Sequence, residues 1–351
     1  MPVDFGTNGI GDPILSAIMA SNEPQYDHLI ARQALHHVGV DPTFYRGGVE
    51  VLTSRPRQGQ GHQLNLNRGD LDPYTELSSA KDSLILYRCK EISGKRTIGL
   101  KKYRRSKNKE RLKQQQVAIP RSAVRLEEEL KVAILLFTAG NWGANTKDLV
   151  DLVGGSGKKA GVAEAKEFSD LALAKELAAK TAYGRQPEIL TIGNDYFEAL
   201  RRAIEWKAYG STQRDRIVNP VDETIALIKS VTGVDEVLVG RAMAESAAIG
   251  AASAPQRIWG PHAAFYWRTT DAVADGGDIA ATPATALGIY EELEGGSDDG
   301  YAGYEWTSED PPALKIAGAL CRDQVFLQET DTTLETPALM DPRGFLVTNG
   351  V

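Results

Sequence analysis

The sequence predicts a globular protein of mixed helix and strand, with a length that suits roughly two domains. Three stretches carry that expectation. Residues 119–140 (IPRSAVRLEEELKVAILLFTAG) set Ala123, Leu126, Leu130, Ala133, Ile134 and Phe137 at helical spacing, with Pro120 suited to a first turn and Gly140 to an end. Residues 187–200 read as a proline break, a short apolar strand at 189–192, and a new helix for which Asp195 is the expected cap. Residues 235–267 read as a strand at 237–239, a segment rich in Ala, Ser and Gly, the tripeptide Ile258-Trp259-Gly260, and a second strand at 263–267. β-Branched and aromatic residues suit the strands, and the small-residue segment lets backbone approach backbone.

Composition bounds the function. The 351 residues are 42% hydrophobic and 25% charged, an ordinary folding composition. A net charge of −7 and a pI near 5.4 argue against a protein that wraps nucleic acid over its whole surface. Cys89 and Cys321 are too few for a disulfide scaffold or a four-thiolate zinc site. The first residues have no basic run ahead of their apolar patch, and apolar runs such as 132–137 are too short for a bilayer, so the expectation is a soluble cytoplasmic product with no membrane partner.

Taken in order, residues 1–25 have the composition of an arm that orders against a partner, with one apolar patch at 14–20. Residues 26–38 offer an amphipathic helix through Leu29, Ile30, Ala34, Leu35 and Val38. From 43 to 75 the chain is rich in Gly, Gln, Asn and Arg. Alternation at Val49 and Val51, then Leu64 and Leu66, suggests two strand arms joined by a tip at 55–63. This loop carries Arg46, Arg55, Arg57 and Arg68, and there is no lysine from 43 to 80. A strand is expected at 83–89.

Residues 95–113 (KRTIGLKKYRRSKNKERLK) hold ten basic side chains against one acid, Glu110. Residues 271–312 hold eleven acids and no lysine or arginine; their paired glycines make much of the block a loop. Three readings stay open for the basic run: a solvated surface, pairing with the acidic block within or between copies, or a patch facing nucleic acid. Helices are expected at 162–181 and 221–231, a return strand pair at 313–318 and 323–328, and an irregular tail from 336.

No catalytic set is gathered anywhere. The glycine-rich VGGSGKKAG at 153–161 fails the phosphate-loop spacing, because Lys158 is followed by Lys159 and position 152 is leucine. His28, His36, His37, His62 and His262 are scattered, with no paired-ligand spacing. Asp271, Asp275, Asp278, Asp298 and Asp299 could meet a hard cation but lack the EF-hand pattern. The expectation is no enzyme, no cofactor and no metal.

Three groups of residues together resemble the major capsid proteins of tailed bacteriophages. The first is Val237, Val239, Gly240, Ala247, Ala248, Gly250, Ile258, Trp259, Gly260 and Tyr266. The second is the helix with acids Glu127, Glu128 and Glu129, an apolar end at Leu136 and Phe137, and Trp142 beyond it. The third is Pro187, the strand, Gly193-Asn194-Asp195, and Ala199-Leu200.

The resemblance implies the α+β Johnson capsid fold. It would divide the chain into an N-terminal arm and helix (1–42), an extended two-stranded loop (43–80), a peripheral domain (81–150) whose spine helix is 119–140, an axial domain (151–312), and return strands with a tail (313–351). It implies a structural protein of the virion, assembled in the host cytoplasm into hexamers and pentamers of an icosahedral shell around double-stranded DNA. Portal and scaffolding proteins, and a decoration protein, are the partners such a subunit would meet. Arg46, Arg55, Arg57 and Arg68 would clasp a neighbour. Lys101, Lys102, Arg104 and Arg105 would pair with acids or face DNA, and Gly240, Gly250, Trp259 and Gly260 would pack the axial domain. Some relatives weld their shells by an isopeptide bond from a loop lysine, which this loop lacks. An encapsulin-like compartment, or a cytoplasmic nucleic-acid-binding protein using 95–113, are the competing readings.

Overall fold

The computed structural model describes residues 28–40, 46–52, 82–88, 91–203 apart from 161, 163, 182, 183 and 185, then 220–245, 252–268, 287–291, 301–308, 313–325, 327–328, 336–337 and 344–350. In chain order its first elements are α1 (Ala31–Ala34), β1 (His36–Val40), β2 (Arg46–Leu52), β3 (Asp82–Arg88), β4 (Glu91–Gly99), α2 (Leu100–Arg105), α3 (Lys109–Phe137), α4 (Ala139–Trp142) and β5 (Thr146–Asp148). There follow α5 (Glu167–Thr181), β6 (Ile189–Gly193), α6 (Asn194–Arg202), α7 (Val221–Thr232), β7 (Glu236–Gly240), β8 (Met243–Glu245), β9 (Pro255–Arg257) and β10 (Ala263–Tyr266). The last are β11 (Leu287–Glu291), β12 (Tyr301–Ser308), β13 (Ala313–Val325), β14 (Leu327–Gln328), β15 (Thr336–Pro337) and β16 (Phe345–Thr348).

The best-packed part is a five-stranded mixed sheet in the order β5-β16-β10-β6-β7. Strands β6, β10 and β16 are short, nearly unbroken apolar runs, as expected of strands covered on both faces, while the edge strand β5 is Thr-Lys-Asp. The two-residue alternation of a strand divides their side chains cleanly. Leu190, Ile192, Ala263, Phe265, Phe345 and Val347 face a core built with α5, α6 and α7. Ile189, Ala264, Tyr266 and Leu346 face a second core built with α1 and the C-terminal half of α3. The sheet is the middle of three layers.

A second sheet runs β1-β11-β13-β12, with β4 also paired to β13. The thirteen-residue β13 is its spine and lies antiparallel to β4, β11 and β12. Helix α3 crosses this sheet. At its crossing a Cβ on Gly94 would stand 2.9 Å from the Pro120 ring, so the glycine makes room for the proline.

Several expectations are corrected. The long helix starts at Lys109, where Asn108 accepts the Arg111 N–H at 2.9 Å. Pro120 is therefore interior, not first-turn, and leaves the Gln116 carbonyl without its helical partner. The helix ends at Phe137, and Gly140 falls in the short α4 instead. The face at Ala123, Leu130 and Ile134 is exposed; Ala133 is the only one of the six stripe positions that is buried. The buried face instead carries Val117, Val124, Val132, Leu135 and Leu136 together with Arg121, Arg125, Glu128 and Glu129. Both faces of α3 are apolar enough to read as core, and spacing alone could not choose between them.

The helix expected at 26–38 is one turn, α1, followed by β1. Strand β2 pairs with β3 in register from Arg46↔Arg88 to Leu52↔Asp82, so the partner arm is the strand expected at 83–89 and not 64–66, which lies outside the described residues. Residues 313–325 form one strand rather than a return pair. Strands β11 and β12 lie within the acidic block, and the expected irregular tail contains β16, a central and buried strand. Asp195 does not cap α6; Gly193 holds the cap position, and Asp195 accepts from Arg257 Nε at 2.9 Å. The N-terminal arm, the tip at 55–63 and the cation candidates at 271–299 lie outside the described residues.

Candidate functional site

The structural focus of the molecule is Glu129, on the second turn from the middle of α3. It is fully buried, and burial pushes its carboxyl above the ordinary 4.5 while its hydrogen bonds pull the other way. Its Oε1 accepts the Ile30 N–H at 3.0 Å and the Trp259 indole N–H at 2.6 Å, and its Oε2 accepts the Ala31 N–H at 2.8 Å. One carboxylate thus ties the segment entering α1, the long helix, and the turn between β9 and β10.

Neighbouring contacts reinforce the same joint. Arg32 pairs with Glu128 at 2.6 Å. The Tyr266 hydroxyl donates to the Ala34 carbonyl at 2.9 Å and lies 2.8 Å from Thr191 Oγ1, and Arg268 donates to the Gln33 carbonyl at 2.6 Å. At the helix end, Asn141 and Trp142 turn back to donate to the Leu135 and Leu136 carbonyls at 2.8 and 2.7 Å, satisfying acceptors a helix leaves open.

Trp259 rests on glycine. Gly193 and Gly240 are register partners at the ends of the parallel strands β6 and β7. A Cβ on Gly240 would stand 2.7 Å from Trp259 Cβ, with the indole closer still, and one on Gly193 would stand 2.9 Å from the Trp259 carbonyl oxygen. Gly260 turns with φ +57°, and Phe137 meets the indole edge-on at 5.3 Å. Gly240, Trp259 and Gly260 are therefore brought together; Gly250 lies outside the described residues. Glu129 and Gly193 were named from sequence only as members of the acid triplet 127–129 and of Gly193-Asn194-Asp195, with no partner or site role assigned. The signal was the acid triplet at 127–129: an exposed glutamate followed by two on the buried face must find donors.

The second feature is electrostatic. Lys101, Lys102, Arg104 and Arg105 are all exposed on α2, and Lys107, Lys109 and Arg111 continue the exposed run into α3. The ammonium groups of Lys109 and Lys113 lie 5.6 and 5.8 Å from the centre of the Tyr103 ring, within reach of its negative face. Register places Ala313, the first residue after the acidic stretch, opposite Gly99, at the sheet end where α2 begins. Arg46 lies in β2, while Arg55, Arg57 and Arg68 are outside the described residues.

Other candidate sites have ordinary explanations. In the glycine-rich loop, Asp170 accepts the Ser156 N–H at 2.7 Å and its hydroxyl, so a carboxylate occupies the amide that a phosphate would need. Lys158 pairs with Glu164 at 2.7 Å. His262 is half-buried, its pKa lowered by burial, and its Nδ1 accepts the Asn349 N–H at 3.3 Å. Among the described residues, no three His, Cys, Asp or Glu side chains gather as metal ligands, and no helix is long and apolar enough to cross a membrane.

No protein-family model matches the chain, and no curated protein does either. Solved structures do. A phage-related protein from Bordetella bronchiseptica RB50 aligns over 98% of each chain at 14% identity, with a TM-score of 0.63. The mature capsid of bacteriophage PhiM1 aligns over 91% of this chain and 87% of its own at 10% identity and a TM-score of 0.45. A virus-like particle from Pyrococcus furiosus aligns over 96% of each chain at 11% identity and 0.44. The likeness is one of fold: the α+β class expected from the sequence is the class observed. The resemblance to tailed-phage capsid proteins read from residues 119–267 is matched by a phage protein's fold along almost the whole chain.

Proposed function

We propose that this chain is a structural subunit that self-associates into hexamers and pentamers of an icosahedral shell enclosing double-stranded DNA. One observation carries the reading. The three stretches that resemble the capsid family, far apart in sequence, meet at a single joint: Glu129 from the long helix, Gly193 from residues 187–200, and Gly240, Trp259 and Gly260 from residues 235–267. A motif set that is scattered in sequence and joined in space belongs to a fold's architecture and not to chance composition.

A shell of this kind works by repeating modest contacts many times, so that closure supplies cooperativity and no single interface need be strong. In this reading the β2–β3 arms and their arginines reach a neighbouring subunit. The layered sheet with α5, α6 and α7 forms the axial domain, and β4, β13 and α3 form the peripheral one. The partners are other copies of the chain, portal, scaffolding and decoration proteins, and the packaged genome. Such a role requires rigid surfaces and no bond-making chemistry.

Electron microscopy of the purified protein tests the proposal, with size exclusion alongside. Closed particles of megadalton mass are expected. Nuclease-protected double-stranded DNA within particles from infected or induced cells distinguishes a genome shell from an enzyme compartment. A chain that stays a 38.1 kDa monomer at all concentrations and salts would reject the shell reading.

A further inference from the structure

Residues 349 and 350, just past β16, are bound by separate parts of the chain. The Asn349 N–H donates to His262 Nδ1 at 3.3 Å, and its side-chain Nδ2 donates to Asp148 Oδ2 at 2.7 Å. Gly350 donates its N–H to the Pro261 carbonyl at 2.7 Å and accepts the Ala160 N–H at 2.8 Å. It is buried against α6, where a Cβ on it would stand 2.7 Å from the Tyr196 ring. These two residues therefore close the glycine-rich loop. Asp170 holds that loop at Ser156, and the Gly350 carbonyl holds it at Ala160.

His262 is the member of this set that changes charge near neutrality. Among the described residues, its ring meets Phe137 of α3 edge-on at 5.5 Å, Gly260 of its own turn, Asn349, and the field of the Asp148 carboxylate at the end of β5, which is the charge that acts on it. Two of these neighbours favour opposite states. The Asn349 N–H needs the lone pair of a neutral Nδ1, whereas Asp148 favours an imidazolium.

We propose that His262 is a pH-operated catch for the glycine-rich loop. As the neutral imidazole it holds the Asn349 amide, and through Gly350 it holds the loop at Ala160. A proton on Nδ1 sets N–H against N–H, and the imidazolium draws on the same Asp148 carboxylate that the Asn349 side chain uses, so one event weakens both hydrogen bonds of Asn349. Gly350 then loses the neighbour that fixes it, and the Ala160 amide opens to solvent with the loop. Burial holds the native imidazole below the ordinary 6.5. The stability of the closed loop is therefore full above 6.5 and is lost as pH falls through the native value. The catch does not depend on the shell reading, since every group in it belongs to one chain.

Hydrogen exchange of the unassembled full chain from pH 8 to pH 5 tests the catch, read by mass spectrometry on the peptides that contain Ala160 and Gly350. His262→Asn is measured beside the parent. Its side-chain oxygen can accept the Asn349 N–H and takes up no proton in this range, so the ratio of the two removes the chemical pH dependence of exchange. Protection of both peptides in the parent should fall several-fold relative to the variant as pH drops below 6.5, while peptides from β6 and β10 keep theirs. His262→Phe, with a ring to meet Phe137 but no acceptor, should leave the loop equally open at every pH. Asp148→Asn should move the parent's transition to lower pH. In the parent alone, the midpoint of loop opening must coincide with the titration of His262 followed by NMR, which keeps the test decisive even where a variant fails to fold. Parallel pH profiles in the parent and His262→Asn, a loop still protected in folded His262→Phe, or a His262 titration with no change at Ala160 would each overturn the proposal.

Discussion

The Trp259 indole donates to Glu129 across 2.6 Å inside a core where neither side chain reaches solvent. This hydrogen bond joins residues 130 positions apart, and the same carboxylate holds the amides of Ile30 and Ala31. A buried polar group of this kind is costly to leave unsatisfied, so each donor is worth more to the fold than its net strength in water suggests. Trp259→Phe keeps the ring and removes the N–H. It should destabilise the subunit by about 1–3 kcal/mol, read as a lower denaturant midpoint at unchanged slope.

Glu129 gives a pH signature with a definite sign. Burial raises its native pKa above the ordinary 4.5, so the native state binds the proton more firmly than the unfolded chain does. The stability this contributes is present below 4.5 and is lost as pH rises through the native pKa. Glu129→Gln cannot titrate, so its stability should vary less with pH over that window than the parent's, once the other carboxylates common to both are subtracted. The amide also opposes one of the three donors with its own NH₂, so at neutral pH the variant should be less stable by about 1–3 kcal/mol. Urea titrations of both proteins from pH 4 to 7 check this; parallel curves would contradict it.

Much of this joint was legible in the sequence, but not its logic. Gly240, Trp259 and Gly260 stood out as a small-residue and aromatic motif, and the strands at 189–193, 236–240 and 263–266 were expected within a residue or two. The acid on the buried side of α3 was visible only as one of three glutamates, because its donors come from residues 99 and 130 positions away. Strand β16 was missed for a related reason. Four residues inside a Gly- and Pro-flanked tail give little period to read, and its strand character comes from β5 and β10 on either side. The α3 faces misled because propensity and spacing describe a helix without saying which of two apolar sides meets a sheet.

The paired glycines under Trp259 should tolerate no side chain. Gly240→Ala would drive a methyl into the indole, and Gly193→Ala would drive one into the Trp259-Gly260 backbone. Overpacking of a closed core costs about 1–3 kcal/mol, and the Gly193 change should be the worse, since backbone yields less than a ring. Thermal unfolding of the two variants beside the parent tests the order. Gly140→Ala, at a position where a Cβ meets nothing within 4 Å, is the neutral control.

The charged surface of α2 supports a prediction about assembly. If Lys101, Lys102, Arg104 and Arg105 served mainly to hold a genome, reversing them to glutamate would impair DNA retention and leave empty-shell assembly intact. Their exposure makes any single pair worth only about 0–1 kcal/mol, and such pairs are screened beyond about 8 Å at physiological ionic strength. Repetition around a closed shell multiplies a small term, however, and strong attachment of wall to genome would hinder both packaging and release. Ala313, which follows the acidic stretch in sequence, lies opposite Gly99 at the sheet end where α2 begins. Protein-to-protein pairing is therefore the expected role. Parent shells should assemble less well as salt rises, and the fourfold reversal should lower empty-shell yield at low salt, with the two proteins converging at high salt. Unchanged assembly of the reversed protein at every salt concentration would contradict pairing and return this surface to the genome or to solvent.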